Sequence, residues 1–395
     1  MTAQIPSSAR PAKLLYLVPT LAAGGTEQQV ALLVRGLDRS RFQPLLVTIY
    51  GPDLVPVEIP LSDCRQVSLA KPLGKLGNLI ALGRLRSLIR SEQPDIVQSF
   101  LRPADLYLRL AGRLAGHPRV VTSLRTRIDG FWSPAWQRTE RMLWRASSVI
   151  VSNSFTVAEE ARGLLGIPDS RLRVIPNGVD LERFRPDGSK VEAREAIGLG
   201  RWNFLVGMVA RYSPVKDHET LLRALSMVQK TGDWPPTAGV LFVGGTTYRE
   251  TRDRVEAQIR EAGLESDCEA RGVTSDVVGV YHALDWLVLP SRHEGFPNTV
   301  LEAMACGRPV IVSSAANAEG LVVEGKTGFL FPTGNAEALA DCLRKALTLP
   351  EENRQAMGRA ARTETEQRFS SIKMVDRYEA LYDELLGKGQ DPPCM

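Results

Sequence analysis

Short apolar runs alternate with amphipathic segments along the whole chain. The first apolar run covers 13–18, is followed by a Gly24-Gly25 turn, and leads into a helical pattern at about 26–37. Apolar runs separated by helical periodicity are typical of βαβ units, whose strands form a parallel sheet. Further elements of the first half are predicted as strands at 45–49, 95–98, 120–123 and 148–152 and a helix at 76–90.

The same alternation restarts after a polar segment at 185–200, which is predicted to be a linker leading into a helix. Strands are predicted at 204–209, 239–243, 286–289, 309–313 and 328–331, and helices at 217–229, 249–262, 299–305 and 336–346. The pattern therefore predicts an α/β domain at 1–185 and a second at 186–372. A closing helix at about 373–388 is expected to cross back to the first domain. Ligands of such sheets bind beyond the carboxyl ends of the strands, and a cleft between two sheets is a favoured ligand location.

Length and cysteine usage agree with this organisation. A chain of 395 residues suits two domains. The five cysteines are scattered and form no Cys-x-x-Cys pair, which argues against a disulfide framework and a zinc site. The first residues lack the apolar stretch of a secretory signal, and no run approaches the roughly 20 apolar residues that span a bilayer. We therefore expect a cytoplasmic protein.

Positive charge is concentrated in the first half. The net charge is +4, yet 84–145 holds twelve arginines, no lysine and five acidic residues, a local excess of +7. Solvated helix faces explain such an excess, and so does a surface that attracts anionic lipid or an anionic acceptor. No recognised nucleic-acid motif accompanies the charge, so nucleic acid is not an expected partner.

The most informative motif lies between a predicted strand and a predicted helix. Glu294 is in the loop after the strand, and Glu302 is eight positions later, near the start of the helix. Backbone N–H groups and the helix dipole favour an anion at a helix N-terminus, and carboxylates accept hydrogen bonds from sugar hydroxyls. For Glu302 a local alternative is equally open, because Thr299 and Glu302 have the spacing of a capping box.

Two weaker motifs also follow strands. Arg211 and Lys216 come after the strand at 204–209, where they could neutralise a diphosphate, although a pair of surface cations is an alternative interpretation. Gly24 and Gly25 follow the first strand and would let a ligand approach the backbone. They do not form the G-x-G-x-x-G fingerprint, which disfavours a dinucleotide oxidoreductase.

Together these features resemble glycosyltransferase family 4. The resemblance rests on the Glu294-x7-Glu302 segment, Arg211 with Lys216, the Gly24-Gly25 turn and the Ile-Pro-Asn-Gly-Val-Asp segment at 175–180, and it runs from about 14 to 385. It implies the GT-B architecture, in which two Rossmann-like α/β domains face each other across a cleft. It also implies a retaining, metal-independent enzyme that moves a sugar from a nucleotide-sugar donor to a glycan or lipid-linked acceptor in polysaccharide or glycolipid synthesis, in the cytoplasm or peripherally at the inner membrane face.

The resemblance also assigns roles to residues. Glu294 would contact hydroxyls of the donor sugar, while Arg211 and Lys216 would stabilise the departing diphosphate. Glu302 would hold the nucleotide ribose. The donor-binding set is Gly24, Gly25, Gly295, Phe296, Asn298, Thr299, Val300 and Glu302.

The acceptor side departs from the pattern. Many relatives carry first-domain histidines near the positions held here by Gln98 and Phe100, and Arg127 and Asp129 are the substitutes that the sequence offers. No cofactor or metal is expected. Two alternatives remain: an epimerase or phosphorylase on the same architecture, and a non-catalytic nucleotide-sugar-binding protein. The presence of both carboxylates and both cations argues against the second of these.

Overall fold

The computed structural model describes residues 10–21, 24–51, 64–130, 132–246 and 249–387, with the backbone only at 249 and 250. They fall into two compact units. The first comprises Met1–Asn177 and Ser371–Met395, and the second is Gly178–Ser370.

Within its described residues, the first unit contains one sheet of seven parallel strands. The strands are β1 Ala12–Val18, β2 Phe42–Thr48, β3 Arg65–Ser68, β4 Ile96–Ser99, β5 Val120–Leu124, β6 Val149–Ser152 and β7 Leu172–Val174. Their order is β3-β2-β1-β4-β5-β6-β7. The central strands β4, β5 and β6 are buried along their whole length, as strands covered by helices on both faces are.

The helices of this unit connect successive strands. They are α1 Gly25–Gly36, α2 Gly74–Glu92, α3 Arg102–Ala115, α4 Pro134–Leu143 and α5 Phe155–Leu165. The closing helix Ser371–Leu386 also belongs here. It buries Tyr378 and Tyr382 completely, and the Tyr382 hydroxyl donates to Oε1 of Gln98 at 2.6 Å. The C-terminal helix is therefore part of the core of the first unit.

The second unit contains a sheet of six parallel strands across its described residues. The strands are β8 Phe204–Val209, β9 Ala238–Val243, β10 Cys268–Arg271, β11 Trp286–Leu289, β12 Val310–Ser313 and β13 Gly328–Phe331. Their order is β10-β9-β8-β11-β12-β13. The helices are α6 Lys190–Ala196, α7 His218–Lys230, α8 Arg249–Glu261, α9 Val277–Ala283, α10 Asn298–Ala305, α11 Ala336–Thr348 and α12 Glu351–Arg368, and the closing helix of the chain is α13.

The division between the units lies at 177/178 and 370/371 rather than at the predicted 185/186 and 372/373. The reason is backbone pairing inside the second unit. The N–H of Val179 donates to the carbonyl of Phe369 at 2.9 Å, and Val179 forms a bridge with Ser370. Phe184 is buried in the same core. The segment after Gly178 therefore folds with the second unit.

Among the described helices, none combines the length and the apolar character that crossing a bilayer requires.

Candidate active site in the second unit

The carboxyl ends of β8 and β11 meet at the point where the strand order of the second sheet reverses. The two strands are hydrogen-bonded neighbours, with Trp286 opposite Val206 and Leu287 opposite Gly207. From β8 the chain winds outward through β9 and β10, and from β11 it winds the other way through β12 and β13. Ligands of open α/β sheets bind at such a reversal, so the loops after β8 and β11 define the candidate site.

These two loops bring together Lys216 and Glu294. The Nζ of Lys216 lies 2.5 Å from Oε1 of Glu294, and the two side chains are only 20% and 11% exposed. The residues are far apart in sequence, so the contact depends on the adjacency of β8 and β11. An ammonium and a carboxylate this close form a charge-assisted hydrogen bond. The pair holds Glu294 as a fixed hydrogen-bond acceptor next to a fixed cation.

A second set of contacts fixes the loop that carries Glu294. The N–H of Arg292 donates to the carbonyl of Val215 at 2.8 Å. The guanidinium of Arg292 also binds the buried carboxylate of Asp217, with Nε 3.1 Å from Oδ2. The backbone of Asp217 has a left-handed conformation, with φ of 54°, and the short helical turn that contains Lys216 ends at this residue. Backbone and side-chain contacts therefore fix the position of the loop after β11 relative to the loop after β8.

Arg211 lies on the loop after β8, which also carries Lys216. Its neighbour Tyr212 is anchored, because the Tyr212 N–H donates to the carbonyl of Gly245 at 2.9 Å and its hydroxyl donates to the carbonyl of Arg271 at 2.9 Å. Gly244 permits this close approach, since a Cβ there would lie 1.9 Å from the carbonyl oxygen of Ala210. Arg211 is exposed and forms no ion pair within the described part of the chain. Its charge is available to a ligand.

Glu302 lies in the second turn of α10 and does not form the capping box. The residue before the helix is Pro297, which has no capping side chain. Instead, Tyr281 donates its hydroxyl to Oε2 of Glu302 at 2.6 Å. Burial raises the pKa of Glu302 to about 7, and the Tyr281 hydrogen bond and the charge of Arg183 only partly offset that effect. Glu302 is thus a half-buried carboxyl that titrates near neutral pH.

The remaining donor-side residues surround the start of α10. Phe296 is buried against Phe369, with ring centroids 5.5 Å apart, and it shapes the loop from beneath. Asn298 and Thr299 are half-buried in the first turn. Val300 is buried, and its N–H donates to the carbonyl of Pro297 at 3.2 Å. The N–H of Val300 is therefore engaged inside the helix.

In the first unit, Gly24 and Gly25 lie where β1 passes into α1. The strand order of this sheet also reverses there, between β1 and β4, and the N–H of Phe100 donates to the carbonyl of Leu17 at 3.0 Å. The glycine turn is therefore at the switch point of its own sheet, the position at which α/β sheets bind ligands.

The polar residues predicted for the acceptor side differ in their surroundings. Arg127 forms an ion pair with Glu160, whose Oε2 also accepts the N–H of Ile128 at 2.7 Å. Asp129 is exposed at the tip of the same loop. Arg127 thus has a local structural partner, whereas Asp129 is open to a ligand.

Three buried polar residues, Arg125, Asn177 and Gln98, were not among the predicted acceptor-side ligands. Arg125 lies with its guanidinium carbon 5.8 Å from the ring centroid of Phe100, and its Nη2 donates to Oδ1 of Asn177 at 2.5 Å. Gln98 is fully buried, and its Nε2 has no hydrogen-bond partner in the described part of the chain. Gln98 lies in β4, and Arg125 packs on Phe100, which directly follows that strand.

The arginine excess of the first half is only partly on the surface. Arg109 is 2% exposed and donates from Nη1 to Oε2 of Glu140 at 2.7 Å, from Nη2 to Oγ1 of Thr122 at 2.9 Å, and from Nε to Oγ of Ser147 at 2.8 Å. This residue is part of the core, and the remaining positive charge of α2, α3 and α4 faces outward.

No group of three or more histidine, cysteine, aspartate or glutamate side chains in the described ranges has an arrangement that would hold a metal ion.

Comparison with known proteins decides the family. Residues 190–364 match the model described as "Glycosyl transferases group 1", and residues 23–183 match "Glycosyltransferase Family 4". The chain belongs to glycosyltransferase family 4. The predicted family is therefore confirmed, and so is glycosyl transfer as the activity.

The relatives of this glycosyltransferase include the Escherichia coli UDP-Gal:alpha-D-GlcNAc-diphosphoundecaprenol alpha-1,3-galactosyltransferase, which is 26% identical over 350 residues, 86% of this chain and 87% of that protein. A solved glycosyltransferase from Rickettsia africae ESF-5 superimposes with a TM-score of 0.82 at 20% identity, over 97% of this chain and 100% of that one. Anabaena HepE, solved in complex with UDP, superimposes with a TM-score of 0.77 at 22% identity. The match covers 94% of this chain and 100% of that one. These structures confirm the predicted GT-B fold.

Proposed function

We propose that this glycosyltransferase moves a sugar, with retention of configuration and without a metal ion, from a nucleoside-diphosphate sugar to a glycan or lipid-linked acceptor. The observation that carries the proposal is the pair formed by Lys216 and Glu294 at the switch point of the second sheet, with the exposed Arg211 on the same loop as Lys216. One carboxylate and two cations at a single strand edge match a ligand that has hydroxyls at one end and a diphosphate at the other.

In this proposal the diphosphate binds between the cations and the first turn of α10. Arg211 and Lys216 supply positive charge, and the N-terminus of α10, eight residues long, adds oriented N–H groups at Asn298 and Thr299. These fixed charges would stabilise the negative charge that develops on the departing nucleotide, at no cost in reorganisation. In other phosphate chemistry a divalent cation stabilises this negative charge. Because Arg211, Lys216 and the N-terminus of α10 would supply the positive charge here, we propose that no metal ion is needed.

Glu294 is proposed to bind hydroxyls of the donor sugar. As a carboxylate already bonded to an ammonium, it is suited to accept hydrogen bonds and has no proton to give. Retention follows if the acceptor hydroxyl attacks from the side that the diphosphate leaves and gives its proton to a departing phosphate oxygen. The bond to the diphosphate breaks, the bond to the acceptor oxygen forms, and no protein nucleophile is needed.

Glu302 is proposed to bind the ribose of the donor. Its carboxyl lies one helical turn beyond the proposed phosphate site and already accepts one hydroxyl, that of Tyr281. Two ribose hydroxyls could donate to the remaining lone pairs. The UDP complex of Anabaena HepE and the UDP-Gal named for the Escherichia coli relative make UDP-sugars the first donors to test.

A lipid-linked acceptor is supported by the surface of the first unit. Leu73, Leu76 and Leu79 are 85%, 70% and 66% exposed at the start of α2, with Lys75 between them. Exposed apolar side chains beside basic residues are typical of surfaces that enter an anionic lipid interface. The acceptor named for the Escherichia coli relative is a diphosphoundecaprenol compound. We therefore place the enzyme peripherally on the cytoplasmic face of a membrane.

The proposal is tested by donor binding in the presence of EDTA. A ligand that binds only the folded state raises the melting midpoint. UDP-, GDP-, ADP- and dTDP-sugars are compared on the wild-type protein, on Arg211→Gln, and on Arg260→Gln, an exposed arginine at the end of α8 that serves as the control. We expect one nucleotide series to raise the midpoint of the wild type and the control, and to raise that of Arg211→Gln less. If no series shifts the wild type, the donor site is refuted.

A further inference from the structure

A cavity of about 600 Å³ lies at the amino end of the second sheet, the edge opposite Glu294. Asp285 precedes β11 and Pro309 precedes β12, and both line this cavity. The other walls are the segment from Pro186 to Lys190 and one face of α12. The volume is in the range of small-molecule sites. Because the carboxyl ends of the strands carry the donor site, the cavity is a separate feature of the unit.

One buried carboxylate organises the charges on one side of the cavity. The side chain of Asp285 is 1% exposed, and its Oδ1 accepts from Nζ of Lys190 at 2.8 Å. Its Oδ2 accepts from Nη2 of Arg194 at 2.5 Å and from the N–H of Leu205 at 2.8 Å. Nη2 of Arg354 lies 3.5 Å from Oδ1. The carboxylate is therefore saturated and has no capacity for a further cation.

Arg308 is a further cation in the cavity wall, and it forms no direct ion pair with the residues that the structure describes. Its guanidinium forms no hydrogen bond with those residues either, and its Nε is buried. The Nε of Arg354 is likewise buried without a partner. Burial lowers the pKa of Arg308; Cys306 and the charge of Asp285 partly oppose this shift, and the charges of Arg194 and Arg354 add to it. A guanidinium that is partly desolvated and unpaired is costly unless an anion binds to it.

The cations exceed the carboxylates around this wall. Lys190, Arg194, Arg308 and Arg354 lie around Asp285, and the lining includes two further carboxylates, Asp187 and Glu351, of which Glu351 accepts from Lys190 at 2.8 Å. Arg359 adds an exposed guanidinium on α12 that also lines the cavity. The excess of positive charge, the unpaired guanidinium and the empty volume occur at one place.

We propose that this cavity is a binding site for a soluble phosphate-bearing anion, held by Arg308 and Arg359. Guanidinium groups bind phosphate oxygens through two parallel hydrogen bonds. Inorganic phosphate fills only part of the volume, so the cavity also has room for the organic part of a phosphate ester. The proposal is independent of the donor site, because none of the donor-site residues lines this cavity.

Thermal unfolding in sodium phosphate, compared with sodium chloride of equal ionic strength, tests the proposal. Four proteins are compared: wild type, Arg308→Gln, the donor-site variant Arg211→Gln, and the surface control Arg260→Gln. We expect phosphate to raise the midpoint of the wild type, Arg211→Gln and Arg260→Gln by similar amounts, and to raise that of Arg308→Gln much less. A shift that is lost in Arg211→Gln and kept in Arg308→Gln would assign phosphate to the donor site and overturn the inference, as would no shift in the wild type.

Three further measurements extend the test. Arg359 is exposed, so Arg359→Gln is a second variant that folding tolerates, and it should weaken the phosphate response in the same way. Arg308→Gln should keep its transfer activity in phosphate-free buffer. Vesicles containing phosphatidylglycerol should bind the wild type and Arg308→Gln equally, and a loss confined to the variant would identify a lipid headgroup and refute a soluble ligand.

Discussion

The Nζ of Lys216 lies 2.5 Å from Oε1 of Glu294, although one residue follows β8 and the other follows β11. The two strands are neighbours at the point where the strand order of the second sheet reverses. A cation and a carboxylate held together at this position are suited to bind a ligand with both phosphate and hydroxyl groups. The contact is the basis of the donor site that we propose.

Removing the cation should impair transfer. Lys216→Met deletes a charge-assisted hydrogen bond to Glu294 and a proposed contact with the diphosphate. We expect kcat/KM to fall about 10- to 100-fold, which corresponds to about 1.5–3 kcal/mol. Steady-state transfer measures the effect, and Lys230→Met, an exposed lysine at the end of α7, is the matched control.

The pair can also be tested as a unit. Residues in direct contact give non-additive effects when both are changed. Lys216→Met combined with Glu294→Gln should therefore lose less than the sum of the two single losses. Simple additivity would show that the two side chains act separately.

Donor binding should depend on pH through Glu302. Its pKa in the ligand-free protein is raised to about 7 by burial. Ribose hydroxyls that donate to the carboxyl favour its ionised form, so binding releases a proton below pH 7. Affinity for the nucleotide sugar should therefore be constant above about pH 8 and fall roughly tenfold for each unit below pH 7.

Titration calorimetry between pH 6 and pH 8.5 measures this dependence. Glu302→Gln should bind more weakly, with an affinity that does not change over the same interval. Wild-type affinity that stayed constant from pH 6 to pH 8.5 would exclude Glu302 as a ligand of the donor.

Transfer should not require a divalent ion. In our proposal Arg211, Lys216 and the N-terminus of α10 supply the positive charge at the diphosphate. Initial rates should be the same in EDTA and in buffer containing Mg²⁺ or Mn²⁺. A rate that disappears in EDTA and returns with either ion would contradict the metal-independent mechanism.

The surface of α2 should attach the enzyme to anionic lipid. We expect partial sedimentation with phosphatidylglycerol vesicles, less with neutral vesicles, and a decrease as salt is added. The triple variant Leu73→Ser, Leu76→Ser, Leu79→Ser should lose most of the binding, because each leucine buried in lipid contributes about 1.5–3 kcal/mol. Ile372→Ser, an exposed apolar residue of α13, is the control. Equal sedimentation with neutral and anionic vesicles would remove the membrane proposal.

Much of this architecture is predictable from local pattern. The strands that carry the site, β8 and β11, are continuous apolar runs, and their ends are marked by the polar residues that follow. The grouping of Glu294, Lys216 and Arg211 rested on the resemblance to glycosyltransferase family 4, because the sequence alone does not show that β8 and β11 are neighbours.

Other features depend on contacts between distant segments and leave no local signal. The Thr299-x-x-Glu302 spacing is compatible with a capping box, yet α10 begins at Asn298 and Glu302 bonds Tyr281 of α9 instead. Arg109 looks like part of a charged surface, but Glu140 of α4 stabilises it inside the core. Short strands such as β3 and β10 are polar or half-buried and lack the apolar pattern that prediction needs.

The most direct test of the account is sugar transfer by Glu294→Gln, compared with wild type and with Glu261→Gln, an exposed glutamate at the end of α8. The change removes the charge of Glu294 and keeps its size; loss of the ion pair with Lys216 should lower the melting midpoint, but the protein should remain folded at the assay temperature. We predict that Glu294→Gln transfers sugar at least about 100-fold more slowly, a loss of about 2.7 kcal/mol in transition-state stabilisation, while the control keeps its full rate. Transfer by Glu294→Gln at the wild-type rate would contradict the central claim.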